Sequence, residues 1–165
     1  MTTLAVFPQA SGDTGVKQTL MAMARLVNGA MLDPLIRDQA AYAIAGCPRG
    51  YQTCHAHALL SWVNRQVRYV PDPTGVEALH DPRLLARAVE SGKFPYGDCD
   101  DLSMYLAALM KAIGLQPVFR AVGYNGKPFQ HVYVRYQNLT LDATRDAWTV
   151  SLGSHRETSI MELTV

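Results

Sequence analysis

Three side chains in the second half of the chain have the types that nucleophilic acyl chemistry needs: Cys99, His131 and Asp142. Cys99 falls at the expected first turn of a helix, just after a Gly97-Asp98 bend. Exposed backbone N–H groups and the positive end of the helix dipole stabilise a thiolate at such a position. The same N–H groups can hold an oxyanion formed on an attacked carbonyl. A sulfur nucleophile needs a base, and the base needs an orienting acceptor. His131 begins one expected strand and Asp142 ends the next. Pairing of those strands through a Gln137-Asn138 turn sets imidazole and carboxylate close to opposite one another. Asp142 can alternatively close a turn with Thr144. Asp98, Asp100 and Asp101 oppose a thiolate, since neighbouring carboxylates raise a thiol's pKa. The expectation is that a Cys99 thiolate–His131 imidazolium pair forms despite them, with the aspartates turned to water or to basic partners such as Arg120.

The elements that must position these groups follow from apolar spacing and caps. Val16, Leu20, Met23, Ala24 and Val27 predict a helix over Thr14 to Asn28, stopped at Gly29. Asp33-Pro34 and Asp81-Pro82 each read as an N-cap followed by proline in the first turn. A helix from near Gln52 to Gln66 lies between them, broken by Pro71 and Pro73. Leu102, Tyr105, Leu106, Leu109 and Ile113 then form the stripe of the Cys99 helix, with Gly114 as its C-terminal glycine. Beyond Pro117 the period changes. Val118–Val122, His131–Tyr136 and Leu139–Asp142 predict strands joined by Asn125-Gly126 and Gln137-Asn138 turns, and Trp148–Val150 predicts a fourth. The class is therefore α+β, a helical first half packed on an antiparallel sheet.

Five segments in this order resemble the transglutaminase-like superfamily: Tyr69-Val70-Pro71-Asp72-Pro73, Gly97-Asp98-Cys99-Asp100-Asp101-Leu102, Ala108-Leu109-Met110-Lys111-Ala112-Ile113-Gly114-Leu115, His131-Val132-Tyr133-Val134 and Leu141-Asp142-Ala143-Thr144. They span about Leu59 to Asp146. The resemblance implies a papain-like core, with Cys99 as nucleophile, His131 as general base and acid, and Asp142 as orienting carboxylate. By position, Tyr69 resembles an upstream aromatic that assists the Cys99 amide in an oxyanion hole. The implied activity is that of a cysteine peptidase, amidase or acyl transferase on a protein or peptide, with no cofactor. Hydrolysis is the default, because the chain lacks the β-domains that accompany animal crosslinking enzymes. The alternative is a catalytically silent member serving as an interaction module. The N-terminal helices and Tyr69–Glu77 look most like small members encoded near bacteriophage structural genes.

The chain's 165 residues suit one domain, read as a helical N-terminal extension over 1–50 and a catalytic core over 51–165. Apolar residues make up 48% and charged residues 18%, a globular balance. A net charge of +1 argues against broad nucleic-acid or anionic-membrane binding. No run approaches the roughly 18 apolar residues of a membrane span. The amino terminus has no basic region and no long apolar stretch of an export signal. Three cysteines are an odd number for a secreted disulfide scaffold. The expectation is a reduced, soluble, cytoplasmic protein, in the phage reading within a bacterial host.

Cys47, Cys54, His55 and His57 invite a zinc reading, but their spacing matches no finger or ribbon. The Asp98-Asp100-Asp101 cluster lacks the glycine turn and distal glutamate of a calcium loop. No metal site is expected. His80 and His155 read as solvated residues.

Overall fold

Every residue from Asp100 to Met110 is buried in helix α5 (Cys99–Ala112). A helix buried all round must be enclosed by other elements. The computed structural model, which describes residues 12–72, 78–144 and 156–165 and the backbone of 4–7 and 77, supplies that enclosure. On one side lie α1 (Asp13–Ala30), α2 (Pro34–Ala43), α3 (Gln52–Gln66) and α4 (Pro82–Glu90). Leu20, Met23, Val27, Ile36, Leu59, Val63 and Leu85 from these helices join Leu102, Leu106 and Leu109 in one core. The first fifty residues thus supply part of the core around the Cys99 helix.

On the other side lies a four-stranded antiparallel sheet. Its order is β7 (Leu139–Leu141), β6 (Phe129–Tyr136), β5 (Val118–Tyr124) and β8 (Glu157–Thr164). Phe119, Ala121, Val132, Val134 and Leu141 alternate onto its core face. The β5–β6 connection turns at Asn125 and Gly126, both with positive φ, as an Asn-Gly hairpin requires. Two short ladders complete the fold: β1 (Leu4–Phe7) antiparallel to β3 (Glu77–His80), and β2 (Arg68–Tyr69) parallel to β4 (Tyr96–Gly97).

The structure is α+β, with the helix starts where the sequence places them. Asp33 accepts from the Leu35 amide at 2.9 Å and Asp81 from the Arg83 amide at 2.9 Å, each ahead of a proline. The first helix runs past Gly29 to Ala30, since an interior glycine costs only about 1 kcal/mol against a packed face. The fourth strand of the sheet is β8; the expected Trp148–Val150 strand lies outside the described residues. The β1–β3 ladder carried no alternation signal that stood out.

The expectation of three reduced cysteines is corrected: Cys47 and Cys54 form a disulfide, with Cα atoms 5.8 Å apart. It ties the chain after α2 to the first turn of α3. Cys54 therefore offers no thiolate to a zinc ion. No described helix is long and apolar enough to cross a membrane.

Candidate active site

Cys99 is the first residue of α5. Asp98 caps that helix, its Oδ1 accepting from the amides of Asp100 at 3.1 Å and Asp101 at 3.4 Å. Asp98 is thus committed to the helix start rather than turned to water. Asp101 is fully buried, and its carboxylate accepts from the His80 amide at 2.8 Å and lies 2.6 Å from His80 Nδ1. His80, expected to be solvated, instead joins β3 to the first turn of the Cys99 helix. Arg120 is not a partner of these aspartates: it pairs with Glu157 at 2.7 Å and Glu162 at 2.8 Å. Those partners come from β8, which sequence reading did not place beside β5. His155 lies outside the described residues.

The helix start meets the sheet at β6. The Val132 backbone, next to His131, acts on the Cys99 thiol and opposes the rise of its pKa. One turn along α5, the Ser103 hydroxyl donates to the Val132 carbonyl at 3.2 Å. His131 itself is buried, and its Nε2 lies 2.8 Å from Asp142 Oδ2. The register explains the reach. Val134 pairs with Leu141, so continuing the ladder sets Asp142 opposite Tyr133 and diagonal to His131 on one face. Asp142 uses its other oxygen differently: Oδ1 accepts from the Thr144 amide at 2.9 Å and the Thr144 hydroxyl at 2.7 Å. It both faces the imidazole and closes the turn. Burial raises its carboxyl, but the bonds from His131 and Thr144 win and hold it below the usual value. The linked stability is present above about pH 3.9 and is lost as acid takes the pH down through the folded value.

Tyr69 pairs with Gly97 across the β2–β4 ladder, two residues before the nucleophile position. The Val70 amide donates to the Gly97 carbonyl at 2.9 Å, fixing the strand that leads into Cys99. Tyr124, at the end of β5, is a residue that sequence reasoning missed. Burial lifts its hydroxyl to about 12, and the charges of Asp142, Glu157 and Cys99 push the same way. It therefore sits where the carboxylate and the thiol both act on it. No sequence signal marks it, because its neighbours come from three separate segments.

Cys99 departs from the thiolate expectation in one respect. The residue keeps some accessible surface, yet burial of its thiol raises the pKa well above the ordinary value. Asp100, whose Oδ1 accepts from the thiol at 3.6 Å, and then Asp98 add to the shift; the Val132 amide opposes it. Burial and the two carboxylates thus favour the neutral thiol. Stability linked to it is fully present below about pH 8.5 and is lost as pH rises toward the folded value. Iodoacetamide alkylation of Cys99 is accordingly expected to be slower at pH 7 than for a free thiol, rising only above about pH 9. Mass-spectrometric labelling rates across pH check this; a rate plateau by pH 8 contradicts it.

Among the described residues, Asp98, Cys99 and Asp100 hold the one group of potential metal-ligand atoms within 4.8 Å of each other. Asp98 already caps the helix, and a close acidic cluster alone defines no metal site. Comparison with protein-family models, curated proteins and solved structures finds no match.

Proposed function

We propose that the protein is a cysteine-dependent amide hydrolase or acyl transferase of transglutaminase-like type, acting on a protein or peptide. The observation that carries this reading is the 2.8 Å His131–Asp142 contact, built on the strand that packs against the Cys99 helix. A papain-like core is the corresponding reading of the α+β fold.

In this reading Cys99 gives its proton to His131 as its sulfur attacks the amide carbon. The resulting oxyanion is held by the Cys99 amide at the α5 N-terminus, the Asp100 and Asp101 amides being taken by the Asp98 cap. Collapse breaks the C–N bond, and the imidazolium returns the proton to the leaving amine. Water or a second amine, deprotonated by His131, then displaces the thioester and restores the thiol. Asp142 orients the ring and balances its transient charge. Tyr69 is assigned to the wall beside the oxyanion site. A thiol that is neutral at rest fits concerted proton transfer to the base better than a standing ion pair. No cofactor, nucleic acid or membrane enters the reading.

The disulfide bears on location, since a reducing cytosol opens most exposed disulfides. The cytoplasmic, phage-associated placement therefore holds only where Cys47 and Cys54 stay paired or the fold tolerates their reduction.

The raised thiol pKa also favours a second reading, a silent module that keeps the His131–Asp142 pair. One experiment separates them. Glutamine-containing and unfolded protein substrates are incubated with the wild-type chain and with Cys99→Ala, and released amine and new termini are counted. The active reading expects turnover that falls at least about 10³-fold in Cys99→Ala, with unfolding unchanged. Equal turnover in both proteins, or none in either, favours the module.

A further inference from the structure

Thr144 is 2% exposed, and its hydroxyl lies between the two groups assigned to orient the reaction. Its Oγ1 is 2.7 Å from Asp142 Oδ1 and 3.4 Å from His131 Nε2. A hydroxyl carries one hydrogen and two lone pairs. The nearer, charged carboxylate oxygen takes that hydrogen, because charge-assisted hydrogen bonds are the shorter and stronger ones. The Thr144 oxygen then presents only a lone pair to His131. Asp142 Oδ2, 2.8 Å from the same nitrogen, presents another. Two acceptors converge on Nε2, so a lone pair on that nitrogen faces repulsion from both. A hydrogen there satisfies both.

We infer that Thr144 is a positioning residue: its hydroxyl, donating to Asp142 and accepting from His131, fixes the imidazole as the Nε2–H tautomer and makes Nδ1 the basic nitrogen. The role rests on the reading of His131 as the base, but the tautomer can be measured without any turnover. The device is local in sequence. Thr144 follows Asp142 by two residues, so its own amide also clamps Oδ1 at 2.9 Å, and a single turn sets both contacts. Serine keeps the donor and the lone pairs. Valine keeps the shape and removes them.

The test is long-range ¹⁵N–¹H correlation of the His131 ring in the neutral form, in the wild-type chain, Thr144→Val and Thr144→Ser. Wild type is expected to show a protonated Nε2 and an unprotonated Nδ1. Thr144→Val is expected to lower the Nε2–H to Nδ1–H ratio about five-fold, the factor of one ordinary hydrogen bond, and Thr144→Ser to restore it. A wild-type ring protonated on Nδ1, or a ratio unchanged in Thr144→Val, overturns the inference. If Thr144→Val does not fold, the wild-type tautomer and the Thr144→Ser spectrum still decide: Nε2–H in both supports it, and Nδ1–H in either overturns it. Lack of turnover in the wild-type chain speaks against the hydrolase reading and leaves this spectrum as the measure of Thr144.

Discussion

Replacing Tyr105 by phenylalanine is expected to lower the unfolding free energy by about 2–4 kcal/mol, although it removes a single oxygen. That oxygen is the centre of a buried polar chain through the helical layer. Trp62 Nε1 on α3 donates to it at 3.2 Å, and it donates to Gln39 Oε1 on α2 at 2.7 Å. Gln39 Nε2 continues to the Ala86 carbonyl on α4 at 2.9 Å. Helices α2, α3 and α4 are thereby linked to α5, and the Tyr105 oxygen holds two of the three bonds. Phenylalanine strands the indole N–H and the amide oxygen in packed surroundings, and each stranded group costs about 1–3 kcal/mol. Burial also lifts the Tyr105 hydroxyl to about 12, against the lesser pull of Trp62. Its linked stability is present below about pH 10 and is lost as the pH climbs through the folded value. Urea unfolding checks the main claim: the midpoint should fall with no change in slope. Pairing Tyr105→Phe with Trp62→Phe should cost less than the sum of the two, because the second change removes the stranded donor. A Tyr105→Phe midpoint within about 0.5 kcal/mol of wild type contradicts the chain's importance.

The helices were legible because their signals are local. Asp33-Pro34 and Asp81-Pro82 place two starts directly, since an Asx cap and a proline at the first helical position act within one turn. The β5–β6–β7 meander was legible for the same reason: two tight turns fix its register. The position of β8 was not. It pairs with β5, which lies more than thirty residues earlier, and no strand was expected over Glu157–Thr164; its alternation emerges only as burial in the folded sheet. The β1–β3 ladder fails similarly, because β3 is four residues long and joins a strand from the far end of the chain. The Cys47–Cys54 bond shows that counting cysteines is a weak guide when the loop is short. A separation of seven residues across a helix–helix turn brings the sulfurs together whatever the third cysteine does.

In the candidate site, the legible part is what the hairpin dictates. His131 and Asp142 lie eleven residues apart around a tight turn, which brings them to one face. Cys99 is legible as a helix start. What could not be read is the sign of its environment. The helix dipole favours a thiolate, but burial depends on the sheet packed above, and burial wins. The aspartates were equally ambiguous: one caps, one reaches His80 and one stays beside the thiol. Only tertiary packing assigns those three fates to three nearly adjacent, identical side chains.

Gly123→Ala is expected to cost about 3 kcal/mol and to disturb the hairpin that delivers His131. Nothing in the sequence distinguishes this glycine from a tolerable one inside a strand. Its φ is not positive, so conformational freedom is not the reason it is needed. The reason is space. A Cβ built there lies 2.3 Å from the Lys127 carbonyl oxygen and 2.7 Å from that of Pro128. Both are backbone atoms, so no side-chain rotation relieves the contact. Gly123 also sits at irregularities of both its ladders: the register shifts between Val122 and Gly123 in the pairing with β6, and between Gly123 and Tyr124 in the pairing with β8. Moving residues 127–128 away pulls on Phe129 and then on His131, whose carboxylate partner is fixed by β7 instead. The variant should therefore lose the His131–Asp142 contact as well as stability. Gly126→Ala is the control. Its φ is +77° with open space around it, so alanine there costs only the left-handed backbone penalty of about 1–2 kcal/mol. Thermal unfolding separates the two, and amide exchange over β6 should quicken in Gly123→Ala alone. Equal losses in the two variants, with β6 exchange unchanged, rule out a steric role for Gly123 in setting the strand that carries the candidate base.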